Sequence, residues 1–137
     1  MSDQSKKFIE HINKVKTFHE SFNIENNEAP TVQLTDDEGK LRFNLMKEEN
    51  EEYLEAALKG DLVEVADALG DQLYILCGTI LKHGLQHKIE EIFEEIQRSN
   101  MSKLGADGKP IYREDGKVLK GPNYFRPNIQ NILEYTE

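Results

Sequence analysis

The sequence predicts an all-α fold, a four-helix bundle followed by a small C-terminal β-hairpin and tail. Apolar residues recur at three- and four-residue steps through four segments before residue 105, and capping residues and glycines separate those segments. After residue 104 the chain is rich in Gly, Pro and basic side chains. We therefore expect a single domain over residues 1–137, with the bundle at about 5–104 and a basic hairpin and tail at about 105–137.

The first predicted helix covers the segment "KKFIEHINKVKTFHESF", in which the apolar face is formed by Phe8, Ile12, Val15, Phe18, His19 and Phe22. An ordered loop containing Pro30 should lead to Thr35. Thr35 and Glu38 match the T-x-x-E capping box that starts a helix, and this second helix should run to about Lys59.

Gly60 suits the left-handed position after the second helix, and Asp61 can cap a third helix that continues to about His83. The fourth segment, "LQHKIEEIFEEIQRSNMSKL", has an apolar face made of Leu85, Ile89, Ile92, Phe93, Ile96 and Met101. The pair Asp115-Gly116 predicts a hairpin in the tail. From Asn128 onward, a last helical turn and a frayed end both remain open.

The composition excludes several classes of protein. Charged residues make up 31% and hydrophobic residues 37% of the chain, and the formal net charge is −9, which argues against binding a nucleic acid polymer. No apolar run approaches the roughly 20 residues of a membrane span. The single cysteine, Cys77, rules out an internal disulfide. We expect a cytoplasmic protein that does not bind membranes.

The third helix carries a stripe of carboxylates that its apolar character does not explain. At about 100° per residue, Glu64, Asp67 and Asp71 fall within roughly 60° of arc. On the second helix, Glu48, Glu49 and Glu52 share the sector of the apolar residues. Two antiparallel helices would then turn both sets of acids towards the bundle interior, where each desolvated ion costs several kcal/mol unless it is compensated.

A hard divalent cation is the compensation that this pattern predicts, since no local Lys or Arg is placed to supply it. Carboxylate oxygens are the ligands of such cations, and a site that keeps several waters and accepts phosphate oxygens describes Mg²⁺, with Mn²⁺ as its substitute. Two simpler readings stay open. Glu64 could complete a D-x-x-E capping box with Asp61, and the run from Glu48 to Glu55 could be a solvated face.

The paired acidic motifs resemble those of the all-α nucleoside triphosphate pyrophosphohydrolases, the MazG-like superfamily. "EENEE" fits E-E-x-x-E at Glu48, Glu49 and Glu52, and "EVAD" fits E-x-x-D at Glu64 and Asp67. That superfamily contains MazG proteins, dimeric dUTPases and phosphoribosyl-ATP pyrophosphohydrolases, and the chain is most similar to proteins of the phosphoribosyl-ATP pyrophosphohydrolase-like type. The resemblance spans residues from about Phe18 to Tyr124.

The resemblance implies Mg²⁺-dependent hydrolysis between the α- and β-phosphates of a nucleoside triphosphate, which yields a nucleoside monophosphate and pyrophosphate. Glu49, Glu52, Glu64 and Asp67 would bind metal. Glu48 would bind a further ion or orient the attacking water. Asp71 would bind the metal or contact the residues that bind it. Glu48, Glu49 and Glu52 form the predicted catalytic set. No protein nucleophile is required.

The basic tail and the first helix supply candidate contacts to the rest of the nucleotide. Phosphate would be bound by side chains of the tail region, namely Asn100, Lys103, Arg113 and Lys120. The base pocket would be lined by His19, Phe22 and Tyr124. The apolar third helix needs more burial than one bundle offers, so we expect a homodimer, with a homotetramer as the alternative.

A non-enzymatic helical module that binds another protein is the rival hypothesis, and it leaves the carboxylates uncompensated. A ferritin-like di-iron bundle requires E-x-x-H ligand pairs, and the sequence contains none. Residues 107–116 do not match an EF-hand calcium loop. The sequence alone does not name the nucleotide.

Overall fold

The computed structural model describes residues 3–134, with side chains from residue 7 onward, and within that range it contains five helices and no sheet. The helices are α1 (Asp3–Ser21), α2 (Asp36–Lys59), α3 (Leu62–Lys82), α4 (Ile89–Met101) and α5 (Ile129–Glu134). The all-α prediction is confirmed. The last residues of the predicted C-terminal segment, 135–137, lie outside the described residues.

The chain divides into two compact units, Met1–His87 and Lys88–Glu137. In the first unit, α2 and α1 both pack on α3. In the second unit, α4 packs with α5. Three of the four predicted bundle helices thus lie in the first unit and the fourth lies in the second, while the single domain over residues 1–137 stays a prediction.

The ends of α2 and α3 follow from local sequence. Thr35 Oγ1 accepts the Glu38 N–H at 3.1 Å and Glu38 Oε1 accepts the Thr35 N–H at 3.2 Å, so the predicted capping box is closed. Gly60 takes the left-handed conformation at φ 73°, which is inexpensive only for glycine. Asp61 Oδ1 accepts the Glu64 N–H at 3.1 Å and starts α3. The chain therefore reverses between α2 and α3 within two residues.

Helix α4 begins at Ile89, four residues later than the first apolar residue of its sequence pattern. The intervening residues fasten the end of α3 instead. The Leu85 N–H donates to the Ile80 carbonyl at 3.0 Å, and Gln86 Nε2 donates to the Asn27 carbonyl at 3.0 Å. Because these residues bond to the end of α3 and to the loop after α1, they do not take up helical geometry, and α4 starts after them.

The tail hairpin is confirmed as a single antiparallel bridge between Tyr112 and Val118. The Arg113 N–H donates to the Lys117 carbonyl at 2.8 Å, and Gly116 occupies the turn at φ 89°. The C-terminal segment forms the short helix α5, which Asn128 begins by accepting the Asn131 N–H at 3.1 Å. The open choice between a helical turn and a frayed end is resolved for residues up to 134.

Helix α3 is buried less completely than its sequence predicts. Its last turns are buried, with Cys77 at 1% and Leu81 at 0% exposure, but Leu62 at its start is 78% exposed. The contacts from α1 explain this difference, because Phe18 and His19 meet α3 near Tyr74 and Gly78. Over residues 3–134, no helix combines the length and the apolar character needed to traverse a bilayer.

Candidate functional site

The acidic segments of α2 and α3 lie side by side. The two helices are antiparallel, and Gln72 Nε2 on α3 donates to the Glu49 carbonyl on α2 at 3.3 Å. This bond brings the middle of α2 against the part of α3 that contains Asp71. The predicted association of the two acidic stripes is therefore observed around Glu49.

Glu49 is the centre of this acidic cluster. Its side chain is half-buried, and its Oε2 atom is inaccessible and has no hydrogen-bond partner. Burial is the main cause that raises the pKa of Glu49 to about 7, followed by a hydrogen bond with Glu52 and by the charges of Asp71, Glu52 and Asp67. Three of the other five predicted acids therefore lie close enough to affect Glu49.

The other acids are more exposed than the sequence analysis expected. Only Glu49 is half-buried, while all of its partners lie at the surface of the chain, namely Glu48, Glu52, Glu64, Asp67 and Asp71. The prediction that both stripes face a closed interior is thus wrong for the chain as described. The physical reason is that α1 covers the other half of α3, so within the described part of the first unit the acidic half of α3 packs against α2 alone.

Glu48 and Glu64 are not among the charges that raise the pKa of Glu49. The capping explanation of Glu64 is also incomplete. Asp61 accepts the Glu64 N–H, but the Asp61 N–H already donates to the Ala56 carbonyl at 3.0 Å. The Glu64 carboxylate therefore does not close a reciprocal box, and its part in a metal site stays a prediction.

The acidic cluster fits a hard divalent cation in its chemistry. All of its donors are carboxylate oxygens, and the inaccessible, unpartnered Oε2 of Glu49 is an atom that a cation would satisfy. Among the residues that the structure describes, no three acidic, His or Cys side chains converge as a finished ligand set. Glu52, Asp67 and Asp71 are exposed, so rotation of their side chains can bring more oxygens towards Glu49.

A cavity of about 590 Å³ lies between α1, α2 and α3. Its wall includes Phe18, His19, Arg42 and Tyr74, and it also includes Leu45 and Ile75. Leu45 is four residues from Glu49 and Ile75 is four residues from Asp71, a spacing of about 6 Å along each helix. The cavity therefore opens one helical turn away from the acidic cluster.

The predicted base-pocket residues have different positions. His19 lines the cavity, is 2% exposed, and its Nδ1 lies 2.6 Å from Asn26 Oδ1. Burial lowers the pKa of His19. Phe22 is 65% exposed and its ring packs 4.6 Å from that of Phe18, whereas Tyr124 belongs to the second unit.

Sequence reasoning missed Arg42 and Lys82, the two cations in the cavity wall. The signal for Arg42 was its position, seven residues before Glu49 and beside Leu41 and Leu45 on the inward stripe of α2. Lys82 carried no comparable signal, since a lysine in the last turn of a helix is already explained by the helix dipole.

The predicted phosphate contacts all lie in the second unit. Asn100 and Lys103 line a second cavity of about 350 Å³. Arg113 Nε donates to Asp115 Oδ1 at 2.9 Å within the hairpin, and Lys120 Nζ lies 4.8 Å from the centre of the Tyr124 ring. Their contacts to phosphate stay a prediction.

Comparison with known proteins identifies related sequences and structures. The family model for phosphoribosyl-ATP pyrophosphohydrolase matches residues 15–100. No curated protein matches the chain. Twenty-four chains of solved structures match it. One of them is an Exiguobacterium sp. 255-15 protein provisionally named an NTP pyrophosphohydrolase, with 28% identity, 88% of this chain and 90% of that chain covered, and a TM-score of 0.46. The residues that the family model matches contain α2, α3 and all six predicted acids.

Proposed function

The chain belongs to the phosphoribosyl-ATP pyrophosphohydrolase family and is a pyrophosphohydrolase, and on this premise we propose that it cleaves a nucleoside triphosphate between the α- and β-phosphates. The products are a nucleoside monophosphate and pyrophosphate. The reaction depends on Mg²⁺, which Mn²⁺ can replace. Membership of this enzyme family favours the hydrolase over the non-enzymatic interaction module.

The single observation that carries this proposal is the environment of Glu49. Its Oε2 is inaccessible and unpartnered, and burial together with the nearby carboxylates raises its pKa to about 7. A structural role does not account for such a group, because like charges at close range destabilise the folded chain. A bound divalent cation would pair with the carboxylates. It would thereby offset the repulsion between them and give the Oε2 of Glu49 a partner.

Glu49, Glu52, Asp67 and Asp71 would hold the cation, with Glu64 joining from the preceding turn of α3 and Glu48 from the position next to Glu49. When bound, Mg²⁺ activates water, neutralises charge on phosphoryl oxygens and aligns the attacking and leaving oxygens. Glu48 and Glu52 are exposed beside Glu49 and would orient the attacking water and accept its proton. These side chains therefore carry the proposed chemistry.

The base of the nucleotide would extend from the acidic cluster into the cavity of the first unit. It would enter the 590 Å³ cavity beside His19, with Phe22 at its margin, while Tyr124, in the second unit, stays a predicted base contact. The β- and γ-phosphates would be bound by Asn100, Lys103, Arg113 and Lys120. The cavity supports the first of these assignments because it lies one helical turn from Glu49.

We also propose that the chain forms a homodimer, with a homotetramer as the alternative. Support comes from apolar side chains that are exposed on α2 and α3, namely Phe43 at 66%, Leu54 at 56%, Leu58 at 79%, Leu62 at 78% and Val63 at 76%. Large apolar side chains exposed on a helix pair favour burial against another protein surface. Light scattering should give twice the chain mass at micromolar concentration. The cytoplasmic location stays a prediction.

The proposed reaction is tested by incubating the protein with each common nucleoside triphosphate and with phosphoribosyl-ATP, with and without Mg²⁺. Separate assays should follow pyrophosphate and orthophosphate. Pyrophosphate release that requires Mg²⁺ or Mn²⁺ is the expected result. Release of orthophosphate alone would contradict cleavage between the α- and β-phosphates, and equal rates in EDTA would contradict the metal site.

A further inference from the structure

Arg42 has an unusual place in the cavity between α1, α2 and α3. Its Nε donates to Thr79 Oγ1 at 3.0 Å and its Nη2 donates to the Ile75 carbonyl at 2.8 Å. Thr79 Oγ1 itself donates to the same carbonyl at 3.0 Å. One edge of the guanidinium is thus held flat against α3.

Gly78 makes this close approach possible. A Cβ atom at that position would lie 2.5 Å from Arg42 Nη2 and 2.9 Å from His19 Nε2. The glycine is helical and buried, although glycine is less favourable than alanine inside a helix. Arg42 Nη2 and His19 Nε2 occupy the space that a larger side chain would fill. The glycine of α3 therefore determines where the guanidinium can lie.

The remaining donors of Arg42 are available. A guanidinium has five N–H groups, and the bonds to Thr79 and Ile75 use two of them. Among the described residues, no carboxylate forms an ion pair with Arg42. Both N–H groups of Nη1 and the second N–H of Nη2 can therefore donate to a ligand.

Lys82, the other cation in the same wall, is not available in this way. Its Nζ lies 2.7 Å from Glu38 Oε2 and donates to the Glu25 carbonyl at 2.6 Å. The cavity thus neutralises Lys82 with a protein carboxylate, whereas among the described residues Arg42 has no ion-pair partner. Burial of Arg42 also lowers its pKa, which is the direction expected for a cation without a counter-ion.

The walls around Arg42 suit a flat heteroaromatic ring better than a phosphate. Phe18 and Tyr74 meet edge to face, with ring centres 5.6 Å apart and an interplanar angle of 80°. Further aliphatic surface of the wall comes from Ile24, Leu41, Leu45 and Ile75. Lys82 in the same wall is already paired with Glu38, so it is not available to bind a phosphate. A base offers π-faces to the aromatic rings and acceptor atoms to the guanidinium.

We propose that Arg42 is a specificity-determining residue that reads the base of the substrate by donating to two adjacent acceptors, a carbonyl oxygen and an unprotonated ring nitrogen. Guanine presents this pair as O6 and N7, and cytosine presents it as O2 and N3. Adenine sets a donor beside N7, and uracil sets a protonated nitrogen beside each carbonyl. The role of Arg42 in substrate choice rests on the proposed function, whereas the binding test of the site does not require catalysis.

Binding of nucleosides without metal or phosphate tests the site independently of catalysis. Calorimetry in EDTA should show that guanosine or cytidine binds more tightly than adenosine and uridine, and that Arg42→Gln removes this difference. Lys40→Gln, an exposed lysine on the same helix, is the matched control and should keep it. Equal affinities for all four nucleosides, or a preference that survives in Arg42→Gln, would overturn the assignment.

Steady-state kinetics provides the second measurement. In Arg42→Gln, kcat/KM for GTP or CTP should fall by about 10- to 100-fold, the loss expected for a bidentate pair, while ATP should change by less than about threefold. The loss should fall on KM. An equal loss for every base would show that Arg42 is only structural. If no nucleotide releases pyrophosphate, the proposed function fails, and nucleoside binding still decides the role of Arg42.

Discussion

Lys82 Nζ lies 2.7 Å from Glu38 Oε2, which joins the last turn of α3 to the first turn of α2. Glu38 is also the reaching-back member of the capping box that begins α2. The Lys82 side chain is 8% exposed, and its Nζ donates to the Glu25 carbonyl in the loop after α1. One carboxylate thus connects a local helix start with the packing of α2, α3 and that loop.

Replacing Glu38 by Gln should lower the free energy of unfolding, because it leaves the Lys82 ammonium buried without its counter-ion. Urea unfolding monitored by circular dichroism measures the change. Asp37→Asn removes one charge from the same turn of α2 and is the matched control, with a much smaller effect. Equal effects of the two substitutions would show that only the helix dipole is involved.

The same pair predicts how stability changes in acid. The hydrogen bond from Lys82 is the main cause that lowers the pKa of Glu38 to about 2 from its ordinary 4.5. A depressed folded-state pKa contributes stability above the unfolded value, and that contribution is lost as pH falls from about 4.5 towards 2. The acid-induced loss of stability should therefore be shallower in Glu38→Gln than in the unmodified protein.

Gly78→Ala should destabilise the protein by up to about 2 kcal/mol. The new methyl group would displace Arg42 or His19 from bonded positions, at about 1–3 kcal/mol, against a gain of about 1 kcal/mol in helix propensity. Gly70→Ala is the control on the same helix, since no atom lies within 4 Å of an added Cβ there, and it should be neutral or stabilising. Thermal unfolding of both variants measures the difference, and a stabilised Gly78→Ala protein would contradict the packing.

Metal-free protein should lose stability as pH rises, in the window set by Glu49. Its folded pKa of about 7 exceeds the ordinary value of 4.5, so the contribution is fully present below about pH 4.5 and is lost as pH rises through about 7. Unfolding in EDTA at about pH 5 and about pH 8 measures the slope. Glu49→Gln should flatten it, and Glu51→Gln, an exposed neighbour, should not. Saturating Mg²⁺ should restore stability at the higher pH.

Glu52→Gln and Asp67→Asn should each lower kcat by about 100-fold or more, because each removes a charged oxygen from the site that supports the transition state. Both variants should stay folded in EDTA, with equal or higher stability than the unmodified protein, since each relieves repulsion around Glu49. Circular dichroism and pyrophosphate release separate the two effects. Glu51→Gln is the activity control, and full activity in either test variant would remove that residue from the site.

Local sequence was sufficient for the ends of α2 and α3. The capping box of Thr35 and Glu38, the left-handed Gly60 and the Asp61 cap are interactions among residues at most three or four apart, so the chain determines them wherever it packs. Helix periodicity placed the acids of α2 and α3 on matching stripes for the same reason. The paired acidic motifs also pointed to the pyrophosphohydrolases.

Tertiary structure alone decided which of those side chains are close enough to affect one another. Glu49 became the buried centre while its neighbours stayed exposed, because desolvation depends on where α1 and α2 lie on α3, and helical period does not contain that information. The same holds for Arg42, whose place in the cavity depends on a glycine 36 positions away in the chain. Periodicity shows which side of a helix a residue faces, and only packing determines what it meets there.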